Sequence, residues 1–247
     1  MKINWNFVKF VLGMSVLIFL LSFSAHRYSS KPLEDIIIHI DYGEGKYFLN
    51  DSLVKRIIDN REMKVSQFTM GQIRVDQIEN LLNDNPFVAH TEVYKDINGK
   101  LKIDLKQKTP IARINDGLNN EYYLAEDLST IPLSSVYSAQ VLLVGGNVDE
   151  NDYEGIKNMI EIIKADKLLK NHVIAMRKEA PNSFNLLINK GDYIIEFGEL
   201  ERIEEKFENL KLFYEQYLGK VGLDYYEKIN LKFNNQIVAT KRESDEK

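Results

Sequence analysis

The sequence predicts an α+β protein: a single N-terminal transmembrane helix, a β-α-α-β-β unit, and a second mixed α/β domain with an antiparallel sheet. Three observations carry this expectation. Residues 7–25 form an apolar run interrupted only by Lys9. Residues 36–105 pass from period-2 to period-3.6 patterning and back, in the order strand, helix, helix, strand, strand. From Thr109-Pro110 onward, short β-like segments recur with two amphipathic helices among them.

At 1.5 Å per residue the apolar run reaches about 28 Å, close to a hydrocarbon core. Lys9 lies within a turn of its start and can snorkel to the headgroups. Trp5 and Tyr28 flank it, where amphipathic rings favour the membrane boundary. The competing reading is a cleaved signal peptide ending in Ser22, Ser24 and Ala25. The length of the run and Phe23, at a position where cleavage sites take small residues, favour a retained anchor. Charge does not orient it, because Lys2 and Lys9 are matched by Arg27 and Lys31. The simpler topology has residues 1–6 as a cytoplasmic tail and the bulk of the chain translocated.

With 44% hydrophobic residues, 13 Tyr and 12 Phe, the rest of the chain can bury real cores. A net charge of −5 with scattered basic residues argues against a nucleic-acid surface. Zero cysteines exclude a disulfide framework, a thiolate nucleophile and a Cys-based zinc site.

Residues 26–33 read as a short polar linker ending at Pro32. In the first strand, Ile36, Ile38 and Ile40 alternate with Ile37, His39 and Asp41. Asn50 and Ser52 offer caps for a helix with Leu53, Val54, Ile57 and Ile58 on one face. In the next helix Asp76 and Glu79 stand in capping-box spacing, Ile78, Leu81 and Leu82 form the buried stripe, and Pro86 ends it. Residues 88–94 and 101–105 form a hairpin around a two-residue Asn98-Gly99 turn. The first domain thus spans 33–108.

The second domain spans 109–240, with strands expected at 110–114, 121–124, 141–145, 172–177, 184–189, 193–197 and 229–239. Helices are expected at 153–166 and 200–217. The all-polar tail 241–247 reads as disordered.

The four histidines, His26, His39, His90 and His172, lack metal-ligand spacing, and no metal or cofactor is expected. There is no Gly-x-Ser-x-Gly elbow, Ser-x-x-Lys pair or Walker loop, and Gly145-Gly146 reads as a turn. Carboxylate pairs at Glu126-Asp127, Asp149-Glu150 and Glu204-Glu205 fall in turns or on solvated helix faces. No catalytic residue is therefore assigned. What remains is interaction chemistry. In the last strand Ile229, Leu231 and Phe233 alternate with Asn230 and Lys232. Such a strand either lies on a sheet edge open to another chain or closes the domain from inside, with a bulge or tight turn at Asn234-Asn235.

Several motifs occur in one order along the chain. The apolar span is followed by Ile78-Glu79-x-x-Leu82-x-x-Asn85-Pro86-Phe87-Val88 and by Thr109-Pro110-Ile111-Ala112-Arg113-Ile114. Tyr122-Tyr123-Leu124, Ile131-Pro132-Leu133-Ser134, Gly191, Phe197-Gly198 and the helix with Lys206 and Leu210 come next. Ile229-Asn230-Leu231-Lys232-Phe233-x-x-Gln236-Ile237-Val238 closes the series. The set resembles the bacterial cell-division protein family FtsQ (DivIB), from the span almost to the end. It departs at Ala125–Ser129, where the family usually has an Asp and a turn Gly.

The resemblance implies a non-enzymatic divisome component in the inner membrane, with its bulk in the periplasm at the septum. It makes the first domain a POTRA domain and the second a β domain. It also implies binding of FtsB/FtsL-type partners and a link between early and late division proteins. Carried over by position, Phe233, Asn235, Gln236, Ile237, Val238 and Ala239 are the partner contacts, through pairing of the last strand. The family aromatic near the end of that strand is replaced by Thr240 and Lys241. Two rivals stand beside this reading. An envelope assembly factor using a POTRA unit predicts a following β-barrel, whose strand series the sequence lacks. A membrane-anchored hydrolase requires a pocket with convergent polar groups.

Overall fold

A predominantly apolar surface makes α1 (Trp5–Ser29) long and hydrophobic enough to cross a membrane, and none of its side chains is buried in protein. It is the transmembrane helix of the chain, seen here in a computed structural model that describes residues 5–43, 48–59, 64–118 and 120–242. The chain divides into two units, 1–107 and 108–247. Of the expected cytoplasmic tail, Trp5 begins α1 and residues 1–4 lie outside the described residues.

The expected linker at 26–33 is not one. Residues 26–29 continue the helix, and the chain from Ser29 to Leu33 is bonded directly into the first unit. Gly71 N–H donates to Ser29 O at 2.9 Å, Met70 N–H to Lys31 O at 2.8 Å, and Leu33 N–H to Phe68 O at 3.0 Å. The Tyr28 hydroxyl donates to Asp96 O at 2.9 Å. A Cβ at Gly71 would lie 2.9 Å from Ser29 Cβ, so a glycine is what lets the two backbones meet.

The first unit continues with β1 (Asp35–Asp41), α2 (Asp51–Ile58), α3 (Val75–Asn83), β2 (Val88–Lys95) and β3 (Lys100–Gln107). Its sheet runs β1-β3-β2, with β1 parallel to β3 and β2 antiparallel to it. Val54, Ile58, Ile78 and Leu82 of the helices close over Ile40, Val93, Leu101, Ile103 and Leu105. Asn50 caps α2 as its side chain permits, accepting from Leu53 N–H at 2.8 Å. The capping box expected on α3 does not form. Arg74 holds the N-cap position, and Glu79 Oε1 accepts from Val93 N–H at 2.8 Å, which ties helix to sheet. The hairpin loop is also longer than the expected two residues. Asp96 N–H donates to Lys100 O, leaving Ile97, Asn98 and Gly99 outside the pair, with Gly99 at φ 85°. The Asp96 carboxylate accepts from Asn98 and Lys100 N–H, which stabilises the three-residue form.

The second unit begins with β4 (Pro110–Asn115), β5 (Glu121–Ala125), β6 (Thr130–Pro132) and β7 (Leu142–Gly146). Then come α4 (Tyr153–Ala165), α5 (Lys167–His172), β8 (Val173–Ala180), β9 (Ser183–Ile188), β10 (Ile194–Gly198) and α6 (Ile203–Phe213). β11 (Tyr226–Asn230) and β12 (Val238–Lys241) complete it. The nine-stranded sheet has the order β12-β11-β10-β9-β8-β7-β4-β5-β6. It is mixed rather than wholly antiparallel, because β4–β7, β7–β8 and β10–β11 are parallel. The helices sit on one face, where Ile156, Met159, Ile160, Phe207 and Leu210 share a core with Ile114, Val144, Met176, Leu186, Ile195 and Ile229.

Gly145 and Gly146 are not a turn but the end of β7. At Gly146, φ is 96° and a Cβ would stand 2.2 Å from Lys178 O, so β8 approaches as closely as it does because no side chain intervenes. His172 closes α5 instead of opening a strand, and helix 200–217 breaks into α6 and a π-helical turn, Tyr214–Leu218. That turn brings the Tyr214 hydroxyl to 3.1 Å from Tyr193 and 3.0 Å from His172 Nε2.

Candidate partner-binding edge

The placement of β11 beyond β10 follows from the crossover between them. β10 ends at Gly198, whose φ of 78° turns the chain away from the sheet. Lys206 of α6 then fastens the return. Its ammonium donates to Phe197 O at 3.1 Å and Glu199 O at 2.7 Å, and lies 4.5 Å from the Phe197 ring centroid. Burial without a carboxylate bonded to it holds its pKa below the usual lysine range. The helix between them carries the chain back along the sheet, the crossover that parallel neighbours require, and β10 and β11 run parallel. They pair Ile194 with Lys228, Ile195 with Ile229 and Glu196 with Asn230.

One more bond fixes which way the terminal hairpin faces. Leu231 N–H donates to Glu196 O at 2.9 Å, just past the end of β11. Since strand donors alternate sides, Ile229 and Leu231 face β10, while Lys228 and Asn230 face β12. Asn230 pairs with Val238 and Lys228 with Thr240. Val238 and Thr240 therefore spend their main-chain groups on β11. Ile237, Ala239 and Lys241 turn theirs outward, and among the described residues β12 has a strand neighbour on one side only.

The sequence expectation of one continuous strand over 229–239 is corrected here. β11 stops at Asn230, whose side chain accepts from Lys232 N–H at 2.9 Å and donates to Glu196 Oε2 at 2.7 Å. Asn235 adopts φ 54°, the left-handed conformation Asn tolerates, and the chain reverses. Of the two arrangements open at Asn234-Asn235, the tight turn is the one that forms, and it delivers the last strand to the edge. Of the expected contact residues, Val238 and Ala239 lie in β12, whereas Phe233, Asn235, Gln236 and Ile237 lie in the loop before it. Ile237 is half-buried against the core, Phe233 is exposed, and Val238 is exposed on the helix-free face.

Thr240 and Lys241, read from the sequence only as the end of the last strand, also belong to this edge, and so does Arg242, which sequence reasoning missed. The Lys241 ammonium lies 5.3 Å from the Tyr225 ring centroid, and Arg242 pairs with Asp192 at 2.7 Å and donates its N–H to Tyr225 O. These contacts carry the ordered chain into the stretch expected to be a disordered tail; residues 243–247 lie outside the described residues. The signal was the β-branched Val238 and Thr240 running up to the basic pair. The rim of the edge is basic and apolar, with exposed Lys228, Lys232, Lys241 and Arg242 beside Tyr225 and Phe233.

The family model described as FtsQ/DivIB, C-terminal related, matches residues 109–240. The chain belongs to the FtsQ/DivIB family. A second model, for a POTRA-like domain, matches residues 34–106 and names the β-α-α-β-β unit. No curated protein matches the chain. The family carries with it a place in cell division and interactions with other proteins.

Proposed function

We propose that the chain is a non-enzymatic scaffold of the bacterial divisome. Its β domain binds an FtsB/FtsL-type partner by adding a partner strand to the open edge of β12. The single observation that carries this is the outward row of main-chain groups at Ala239 and Lys241 of β12, continued by Ile237 just before it, on the last strand of a nine-stranded sheet. Main-chain pairing there supplies affinity, and the side chains around it supply choice. Val238 and Phe233 offer apolar surface on the strand and its loop. Lys228 and Lys241 favour a partner segment with acidic residues, while Arg242 is already paired with Asp192.

Asn235 and Gln236 would meet the partner from the turn before the strand. Asn235 shapes the turn that aims β12, and Gln236 is an exposed loop residue beside it. The anchor α1 confines the search for partners to a membrane, which for this family is the inner membrane at the septum, with the bulk of the chain in the periplasm. In that role the chain links early and late division proteins and uses no cofactor.

Photoreactive residues placed singly at 226–241 test the proposal. Crosslinks to the partner are expected at Val238, Ala239 and Lys241 and in the Phe233 loop. The same probes placed at 130–132, in β6 at the far edge of the sheet, are the comparison, and partner crosslinks there with none at 226–241 would overturn it.

A further inference from the structure

We infer that the β2–β3 turn of the first unit, Asp96 to Gly99, is a second membrane contact: it lies in the headgroup layer beside α1 with Ile97 inserted among the lipids. The inference rests on α1 crossing the membrane and is independent of the β12 edge.

The position of the turn is set by the anchor. The apolar run of α1 ends at Ala25, so Tyr28 stands about 4.5 Å further along the axis. The headgroup layer on each side of a bilayer is about 5–7 Å thick. Tyr28 is thus at headgroup level, and helical side chains lean back toward the N-terminus, here toward the hydrocarbon. Its hydroxyl donates to Asp96 O at 2.9 Å, which fixes the turn at that depth.

Further bonds make the position rigid. Lys31 reaches across the turn to Asn98 O and pairs with Glu34 at 3.0 Å. Glu34 N–H donates to Gly99 O at 2.9 Å, and Lys95 donates to Met70 O at 2.7 Å. A Cβ at Gly99 would lie 2.9 Å from Lys31 Cε, so the turn lies directly on the chain leaving the membrane.

What the turn presents is an apolar side chain. Ile97 is 87% exposed, the most exposed large hydrophobic residue described. A turn tip ordinarily carries a polar residue or glycine. An isoleucine there, held beside the end of a membrane helix, matches a lipid surface. Arg27 is exposed on the last turn of α1, where a guanidinium meets phosphates. The Asp96 carboxylate is held on two backbone donors of the turn itself, with Lys31 reaching across the same turn to Asn98 O.

The chain has no cysteine, so single cysteines can carry an environment-sensitive fluorophore in the full-length protein. Ile97→Cys and His90→Cys are labelled and reconstituted in phosphatidylethanolamine–phosphatidylglycerol vesicles. His90 is exposed near the opposite end of β2, about 20 Å from the tip at strand rise. The expected result is a blue-shifted emission at position 97, quenched by headgroup-labelled lipid, and water-like emission at position 90. Adding Gly71→Ala is expected to move the 97 signal toward water.

Flotation of the same vesicles reports α1 separately. Water-like emission at 97 in protein that floats overturns the proposal and leaves the span intact. A blue shift that lipid quenchers do not touch, or that dilution abolishes, shows contact between protein chains and also overturns it. Protein that does not float overturns the span, and the inference with it.

Discussion

Ala239→Pro separates partner capture from folding. The Ala239 N–H faces outward, so proline takes no bond from the β11–β12 ladder. Val238 before it is already extended, as a residue preceding proline prefers. Against a partner strand, the substitution removes the middle one of three outward donors and puts a ring where a carbonyl would sit. One net hydrogen bond is worth about 1 kcal/mol, and disturbing its neighbours about doubles that. About 2 kcal/mol corresponds to about thirtyfold in Kd. Thr240→Pro is the matched control, because the Thr240 N–H faces Lys228 and its loss opens the hairpin.

Titration of labelled FtsB/FtsL-type partner against full-length protein in nanodiscs measures binding, and thermal melts of the same samples measure folding. Ala239→Pro is expected to weaken binding about thirtyfold with its melting temperature shifted by less than about 2 °C. Thr240→Pro is expected to lose binding and to melt about 5 °C lower. Unchanged affinity in a folded Ala239→Pro protein would refute edge addition. Equal melting losses in the two variants would refute the assignment of which donors face outward.

Other perturbations test the scaffold behind the edge. Gly146→Ala places a Cβ 2.2 Å from Lys178 O at a φ of 96°, and should destabilise the second unit by roughly 3 kcal/mol in denaturant melts. Asp152→Ala leaves the Lys178 ammonium, now 2.6 Å from that carboxylate, with Asp149 at 3.5 Å and also removes the acceptor of Asp149 N–H; a loss of about 2 kcal/mol is expected, and Lys178→Met in the same background should restore only the part due to the ammonium. Burial holds the His172 pKa below the ordinary 6.5. The unfolded chain then binds more protons below pH 6.5, so stability is full above 6.5 and falls as pH drops toward the folded-state pKa. His172→Gln should flatten that slope in melts run across the same pH range.

Much of this architecture was legible because apolar period and sequence order agree. The alternating isoleucines of β1, the stripe of Ile78 and Leu82 and the hairpin strands behave as their spacing dictates. Where the reading failed, a distant partner decided. Glu79 left its local cap for Val93 N–H, and Gly146 stayed in a strand because Lys178 O stands against it. The short β6 and α5 are held by neighbouring strands and an Asp166 cap, signals too brief for periodicity. At the edge, alternation across 229–233 concealed a reversal that Asn235 makes by adopting a left-handed conformation. The polarity of Lys241 and Arg242 read as tail because their partners, Tyr225 and Asp192, cannot be inferred from spacing.

The direct join at Ser29 and Gly71 also gives the first unit a mechanical character. A helix that enters a domain without slack acts as a lever, and its fulcrum is the bilayer. Transmembrane helices tilt by about 20° on average, and the tilt answers to membrane thickness. Carried over the length of β3, about 25 Å, such a tilt swings the far end of the sheet by about 9 Å. Local thinning or thickening of the membrane would then be read out as a displacement of the first unit's outer rim.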